Sequence, residues 1–179
     1  DETSPPNPAA LVAWRQAVEE RVLNAVQRGL RAIIIRPAIV YGRGGGIPAG
    51  FVQAARKDGA ARYVGNGDNR WPFVHVDDLA DLYLLALEKA PPGTLLLAVH
   101  GPSYRVRDIA AAASRGAGGG GNTVAWPLEQ ARQTLGPYAD ALVLDQQASG
   151  SRARELLGWR PHRPDVLEDL ERGSYAGAT

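Results

Sequence analysis

The residues of this chain best suited to chemistry lie close together: Arg70, Trp71, His75, Asp77 and Asp78. A guanidinium such as that of Arg70 can grip an anion through two parallel hydrogen bonds. The indole of Trp71 can stack on a ring. An imidazole can exchange a proton near neutral pH, but a lone His75 beside a helix start more often hydrogen-bonds locally. Arg70 and Trp71 are therefore the stronger candidates. Asp77 reads as a helix cap and Leu79 as a packing residue.

Other chemistries are excluded. There is no cysteine, so disulfides, thiolate catalysis and Cys-ligated zinc are absent. His75, His100 and His162 stand at no metal-ligand spacing, so no metal site is expected. A formal net charge of +1 on 179 residues provides no strong field for nucleic acid or a membrane surface. The basic residues are nearly all arginine, with Lys57 and Lys89 the exceptions, which reads as the codon usage of a GC-rich genome. No stretch resembles a signal peptide or reaches transmembrane length, so a cytoplasmic protein is expected. The lack of methionine and the abrupt start at Asp1-Glu2-Thr3-Ser4-Pro5-Pro6 read as a fragment.

Alternating helical and extended patterns must position these residues. Leu11, Trp14, Val18, Val22, Leu23 and Val26 recur at helical spacing, predicting a helix over 9–28 capped by Asn7, with Pro8 at its first position. Ala32-Ile33-Ile34-Ile35 reads as a strand buried on both faces of a parallel sheet and ended by Pro37. A helix is expected over 48–57, a turn at Gly65-Asn66-Gly67-Asp68-Asn69, and a strand over 73–76. A helix over 78–89, with Asp77 as its cap, carries the apolar stripe Leu79, Leu82, Tyr83, Ala86 and Leu87. Strands over 94–99 and 123–126 and helices over 106–114, 128–135, 151–157 and 164–172 complete the pattern. The stretch from there to Gly150 after the 128–135 helix is read as variable.

This order resembles the extended short-chain dehydrogenase/reductase family, the NAD(P)-dependent epimerases and dehydratases. Three patches carry the resemblance: Arg36-Pro37-Ala38-Ile39-Val40-Tyr41-Gly42, the run from Gly65 through His75-Val76-Asp77-Asp78-Leu79-Ala80, and Ala153-Arg154-Glu155-Leu156-Leu157-Gly158-Trp159-Arg160-Pro161. The resemblance implies NAD or NADP as cofactor, with Pro37, Ala38 and Ile39 passing the nicotinamide. It also implies a small-molecule substrate, often a nucleotide sugar, near Tyr41, Arg43, Asn69, Arg70 and Trp71. In many relatives an Arg four residues before the His grips the substrate diphosphate; here that position holds Trp71, with Arg70 beside it.

Two departures matter. No Gly-x-x-Gly-x-x-Gly turn for the cofactor pyrophosphate occurs, and Gly42-Arg43-Gly44-Gly45-Gly46 does not replace it, because no helix start is expected at the right offset. Counting back from Glu19 puts Arg15 and Leu11 where the family has its catalytic Lys and Tyr, so no catalytic residue is assigned. The expected fold class is α/β, a partial Rossmann-like parallel sheet with the smaller C-terminal substrate-binding part and without the N-terminal cofactor-binding half. The chain is read as one partial domain: 1–115 is the end of the Rossmann-like part interleaved with substrate part, and 116–179 is the C-terminal substrate-side region. Its expected function is the substrate-binding part of such a protein, inactive alone. The alternatives are a non-catalytic NAD(P)- or ligand-binding regulatory protein of the same fold and an interaction module that pairs its sheet edge with itself, as a homodimer, or with a partner.

Overall fold

The computed structural model describes residues 1–177, so the last two residues of the expected 116–179 region lie outside the described residues. After a 3-10 turn at Ala10–Val12, helix α1 spans Trp14–Val26. Neither Asn7 nor any other side chain caps it; Ala13 stands at the N-cap. Strand β1 (Ile34–Pro37) leads into β2 (Ile39–Tyr41), then α2 (Gly46–Asp58) and β3 (Ala61–Val64). Short strands β4 (Arg70–Trp71) and β5 (Phe73–His75) precede α3 (Val76–Lys89). Next come β6 (Leu95–Ala98), β7 (Tyr104–Arg105), α4 (Val106–Gly116) and β8 (Thr123–Trp126). Helices α5 (Leu128–Leu135), α6 (Tyr138–Leu142), α7 (Ser151–Leu157) and α8 (Val166–Arg172) complete the chain.

The fold is α/β, and its strands pair two by two. β1 pairs with β6, β2 with β5 and β3 with β8, all in parallel, while β4 and β7 are antiparallel. The strand read over 32–35 is shifted toward Pro37, and of its isoleucines Ile34 alone is buried. Its physical reason is an edge: β6 is the single ladder partner of β1 among the described residues, so the strand is not enclosed on both sides.

The same edge explains α1. None of its residues is buried, and Trp14, Val18 and Leu23 are exposed although they form the apolar stripe. On α3, Leu79, Leu82 and Ala86 turn inward, while Tyr83 and Leu87 remain exposed. Helix α6, in the stretch read as variable, packs through its buried Ala139.

Two main cores form. One joins Val74, Leu79, Leu82, Leu96, Leu157 and Trp159 around α3, β6 and α7. The other gathers Phe51, Trp71, Phe73, Ile109, Val166 and Leu170 around α2, α4 and α8. Alanines 110, 112 and 113 on α4 are completely buried, and small side chains let α8 approach closely. A Cβ at Gly116 would lie 1.9 Å from the Leu170 carbonyl oxygen, so glycine is required where the two helices meet.

Asp78 ties the second half of the chain to the first. Its carboxylate has no exposed surface and accepts backbone N–H bonds from His162 at 3.1 Å and Arg163 at 3.2 Å. Its carbonyl accepts the Trp159 indole N–H at 2.9 Å. Removing the carboxylate would leave two inward-facing amides without their acceptor, a cost of about 3 kcal/mol. Asp78→Ala is therefore expected to lower the melting temperature by roughly 6–12 °C. Asp77→Ala, which removes a half-buried side chain, should lower it far less; calorimetry on the two variants checks the contrast.

Candidate functional site

Parallel pairing of β2 with β5 sets Tyr41 directly beside His75. Their rings meet edge to face with centroids 5.2 Å apart. His75, rather than Asp77, caps α3: its Nδ1 accepts the Asp77 backbone N–H at 3.1 Å. That acceptor role fixes the imidazole proton on Nε2. The helix begins two residues earlier than the Asp77 cap implied, and Asp77 forms an ion pair with Arg43 at 2.7 Å. Tyr41 is buried, and its hydroxyl donates to the Pro164 carbonyl at 2.6 Å.

The glycine run after Tyr41 does reach a helix start, since α2 begins at Gly46. Three of its amides, however, are already bonded. Gly42 N–H donates to the Tyr175 hydroxyl at 2.8 Å, Gly44 N–H to Ser174 Oγ at 3.1 Å, and Gly45 N–H to the Gly42 carbonyl at 3.1 Å. The Tyr175 hydroxyl donates in turn to the Gly45 carbonyl at 2.5 Å. A cofactor pyrophosphate would have to compete there, because Tyr175 and Ser174 hold the Gly42 and Gly44 donors and the loop itself holds that of Gly45. Gly42 has φ +104°, and a Cβ there would lie 2.3 Å from His75 Nε2, so this position demands glycine twice over.

A cavity of about 430 Å³ opens between α2, β3 and α6. Trp71 lines it while remaining buried, tilted against Phe51 at a centroid distance of 6.2 Å. Asn69 and Arg70 stand behind its wall. The Asn69 side-chain amide donates to the carbonyls of Leu142 and Leu144, both at 3.1 Å, and Leu142 lines the cavity. The Arg70 backbone N–H donates to Asp145 Oδ1 at 2.7 Å, and its guanidinium donates to the Ser103 carbonyl at 3.2 Å. Of the five residues read as substrate-binding, Trp71 alone lines this cavity; Asn69 bonds its Leu142, Arg70 bonds Asp145 and Ser103, and Tyr41 and Arg43 stand at the loop after β2. The roles of Tyr63, Tyr138 and Leu142 in the lining were not read from the sequence. Tyr138 and Leu142 belong to α6, which has too few residues to leave a periodic signal.

A second concavity, about 610 Å³, lies along the edge of β1 and the exposed face of α1. Pro37 lines it and is exposed, whereas Ala38 and Ile39 are half-buried, with their N–H groups bonded to the Ala98 and Pro72 carbonyls. Glu19 grips Arg36 through Nε at 2.9 Å and Nη2 at 2.5 Å, and this hydrogen bond raises the Arg36 pKa above its ordinary value. Leu11 is exposed, and the Arg15 guanidinium lies 5.6 Å from the Trp14 ring centroid. Carboxylate oxygens of Asp78 and Asp81 and a ring nitrogen of His162 come within 4.8 Å of one another, a grouping that spacing did not reveal. Both Asp78 oxygens already accept backbone N–H bonds there. No helix among the described residues is long and apolar enough to cross a membrane.

A model of the NAD dependent epimerase/dehydratase family matches residues 2–98. An uncharacterized protein of Schizosaccharomyces pombe is 32% identical over 90% of this chain and 55% of its own length. The 2-alkyl-3-oxoalkanoate reductase of Stenotrophomonas maltophilia is 29% identical over 48% of this chain and 26% of the reductase. Among solved structures, Thermus thermophilus UDP-glucose 4-epimerase in complex with NAD superposes with a TM-score of 0.77 at 22% identity. That superposition covers 100% of this chain and 58% of the epimerase. The chain spans about half the length of the curated relatives it matches, 55% and 54% for the first two.

The phenols of the loop and its neighbours give a pH test. Burial, then the Gly42 bond that opposes it and the charge of Asp169, leaves the Tyr175 pKa pushed up to about 12. Burial and the charge of Asp165 push Tyr104 to about 12, and burial raises Tyr41 further. A phenol raised in the folded state stabilises fully below its unfolded pKa of about 10 and loses that contribution as pH climbs through the folded value. The urea midpoint is expected to hold up to about pH 10 and to fall between about pH 10 and 12. Tyr175→Phe should flatten that fall; an unchanged slope in the variant would contradict the assignment.

Proposed function

Because this chain belongs to the NAD-dependent epimerase/dehydratase family, we propose that it supplies the substrate side of an NAD(P)-dependent reductase or epimerase. The reaction acts on a carbonyl or hydroxyl carbon of a small molecule. The cavity lined by Trp71 and Leu142 carries this reading: it is formed within the chain, concave and mostly apolar, as small-molecule sites are. Asn69 and Arg70 act as positioning residues for its wall. Tyr41 and Arg43 form the neighbouring loop.

NAD or NADP is the cofactor, with Pro37, Ala38 and Ile39 beside its nicotinamide at the carboxyl end of β1. Its hydride chemistry is supplied by the cofactor when bound. The engaged amides of Gly42, Gly44 and Gly45 support assigning the pyrophosphate grip to residues outside this chain. The exposed α1 face and the free β1 edge supply a seat for such a neighbour: an unpaired parallel strand edge beside an apolar helix face is what a further strand-helix unit covers. The region around β1, β6 and α3 is then the end of the cofactor half, interleaved with a substrate part built on α2, α4 and α8. The same edge supports the second reading, pairing between two copies of this chain.

Leu11 and Arg15 provide no proton donor at α1, so the chain by itself is expected to transfer no hydride. Purified residues 1–179, mixed with NADH or NADPH and a 3-oxo acid, or with NAD+ or NADP+ and UDP-glucose, should show no change in absorbance at 340 nm. Turnover by the isolated chain would refute this. Size-exclusion chromatography separates the second reading, which requires a dimer that dissociates when Ile35→Lys places a charge on the β1 strand.

A further inference from the structure

The lining of the 430 Å³ cavity is informative about charge. Phe51, Val64, Trp71, Val106 and Leu142 contribute apolar surface, and Tyr63, Tyr138 and Gln53 contribute neutral polar groups. Among the described residues that line it, Arg62 is the one cationic side chain. Its guanidinium stands over the Trp126 ring at 5.5 Å and pairs with Asp58 at 3.8 Å. The neighbouring guanidiniums are committed elsewhere: Arg70 to the Ser103 carbonyl, Arg43 to Asp77, and Arg107 to Asp68 at 2.8 Å.

A nucleoside diphosphate brings two or more negative charges that must be matched by donors or cations when they leave water. This cavity presents no such set. An uncharged ring instead meets aromatic edges and faces, with two phenols and an amide to fix its orientation. We propose that the cavity binds the uncharged, apolar ring or alkyl part of the substrate and discriminates against nucleoside diphosphates, with Trp71 and Leu142 as its specificity-determining surface. This rests on the substrate-side reading above and names the chemical class that the reading leaves open.

Gly50 offers a way to close the cavity without disturbing the core. It lines the space on α2, and a Cβ there meets nothing within 4 Å. Isotope-labelled chain is titrated with 2-naphthol and, separately, with UDP, and backbone amide shifts are followed. The expected result is saturable shifts at Gly50, Tyr63, Val64 and Leu142 with 2-naphthol, and none there with millimolar UDP. Gly50→Trp should weaken 2-naphthol at least ten-fold while keeping the dispersed spectrum of a folded chain. If that variant does not fold, Tyr138→Ala, at an exposed position, is expected to weaken the same shifts. Saturable UDP shifts at these four residues would overturn the charge discrimination and leave the substrate-side reading standing. Absence of shifts there with both probes, or shifts confined to the α1 groove, would overturn the proposal together with that reading.

Discussion

A carboxylate with no exposed surface must have fixed donors around it, and Asp78 obtains them from the chain more than eighty positions later. That requirement organises much of the molecule. His162 and Arg163 are drawn onto the start of α3, and Trp159 follows with its indole bonded to the Asp78 carbonyl. The next residue, Pro164, then presents its carbonyl to the Tyr41 hydroxyl. Asp165 caps α8 through the Leu167 and Glu168 amides, at 2.9 and 3.0 Å. The end of α8 delivers Ser174 and Tyr175 to the glycine loop after β2. One buried charge thus fixes, through a short relay of backbone bonds, a loop whose own glycines would otherwise be free to move. His100 Nδ1, buried without a hydrogen-bond partner and 3.5 Å from the same carboxylate, belongs to the same neighbourhood.

Much of the secondary structure was legible because its signals are local. Helices α5 and α7 end before Gly136 and Gly158, and their bounds match the periodic runs read from the residues. The αL conformation of Gly158 is one that L side chains seldom adopt. What failed depends on partners or on orientation. The α1 stripe has the right spacing for burial, yet spacing does not say whether anything covers it. Asp77 and Asp78 are adjacent in sequence but project about 100° apart on a helix. Either could have been the buried one. The cap was misassigned to Asp77 because His75 is a less common cap, although its Nδ1 accepts an amide as a carboxylate does.

Of the residues read as the candidate site, Trp71 lines the cavity, and Asn69 reaches it only through its bond to the Leu142 carbonyl. The side chains act in different directions. Trp71 turns into the core with one part at the cavity, Arg70 reaches the Ser103 carbonyl, and Asn69 bonds the carbonyls that follow α6. A sequence shows that a guanidinium and an indole are neighbours. It does not show that the strand pleat sends them to opposite sides, although β4 is extended and the alternation follows from that alone.

The two concave features answer to different physics. The α1 groove is bounded by an unpaired strand edge and by large apolar side chains in water, a combination that is costly for a chain left uncovered. Backbone donors and acceptors along β1 fit another strand better than a small molecule, because a ligand seldom satisfies a row of alternating N–H and C=O groups. The cavity beside Trp71 differs in each respect. Its walls come from α2, β3 and α6; β3 has its ladder partner in β8, so no open strand edge faces the space. A cavity of that kind discriminates by shape and charge. Under the proposed reading, one guanidinium shared with Trp126 and Asp58 is too little to match a diphosphate, whereas an uncharged body needs no such match.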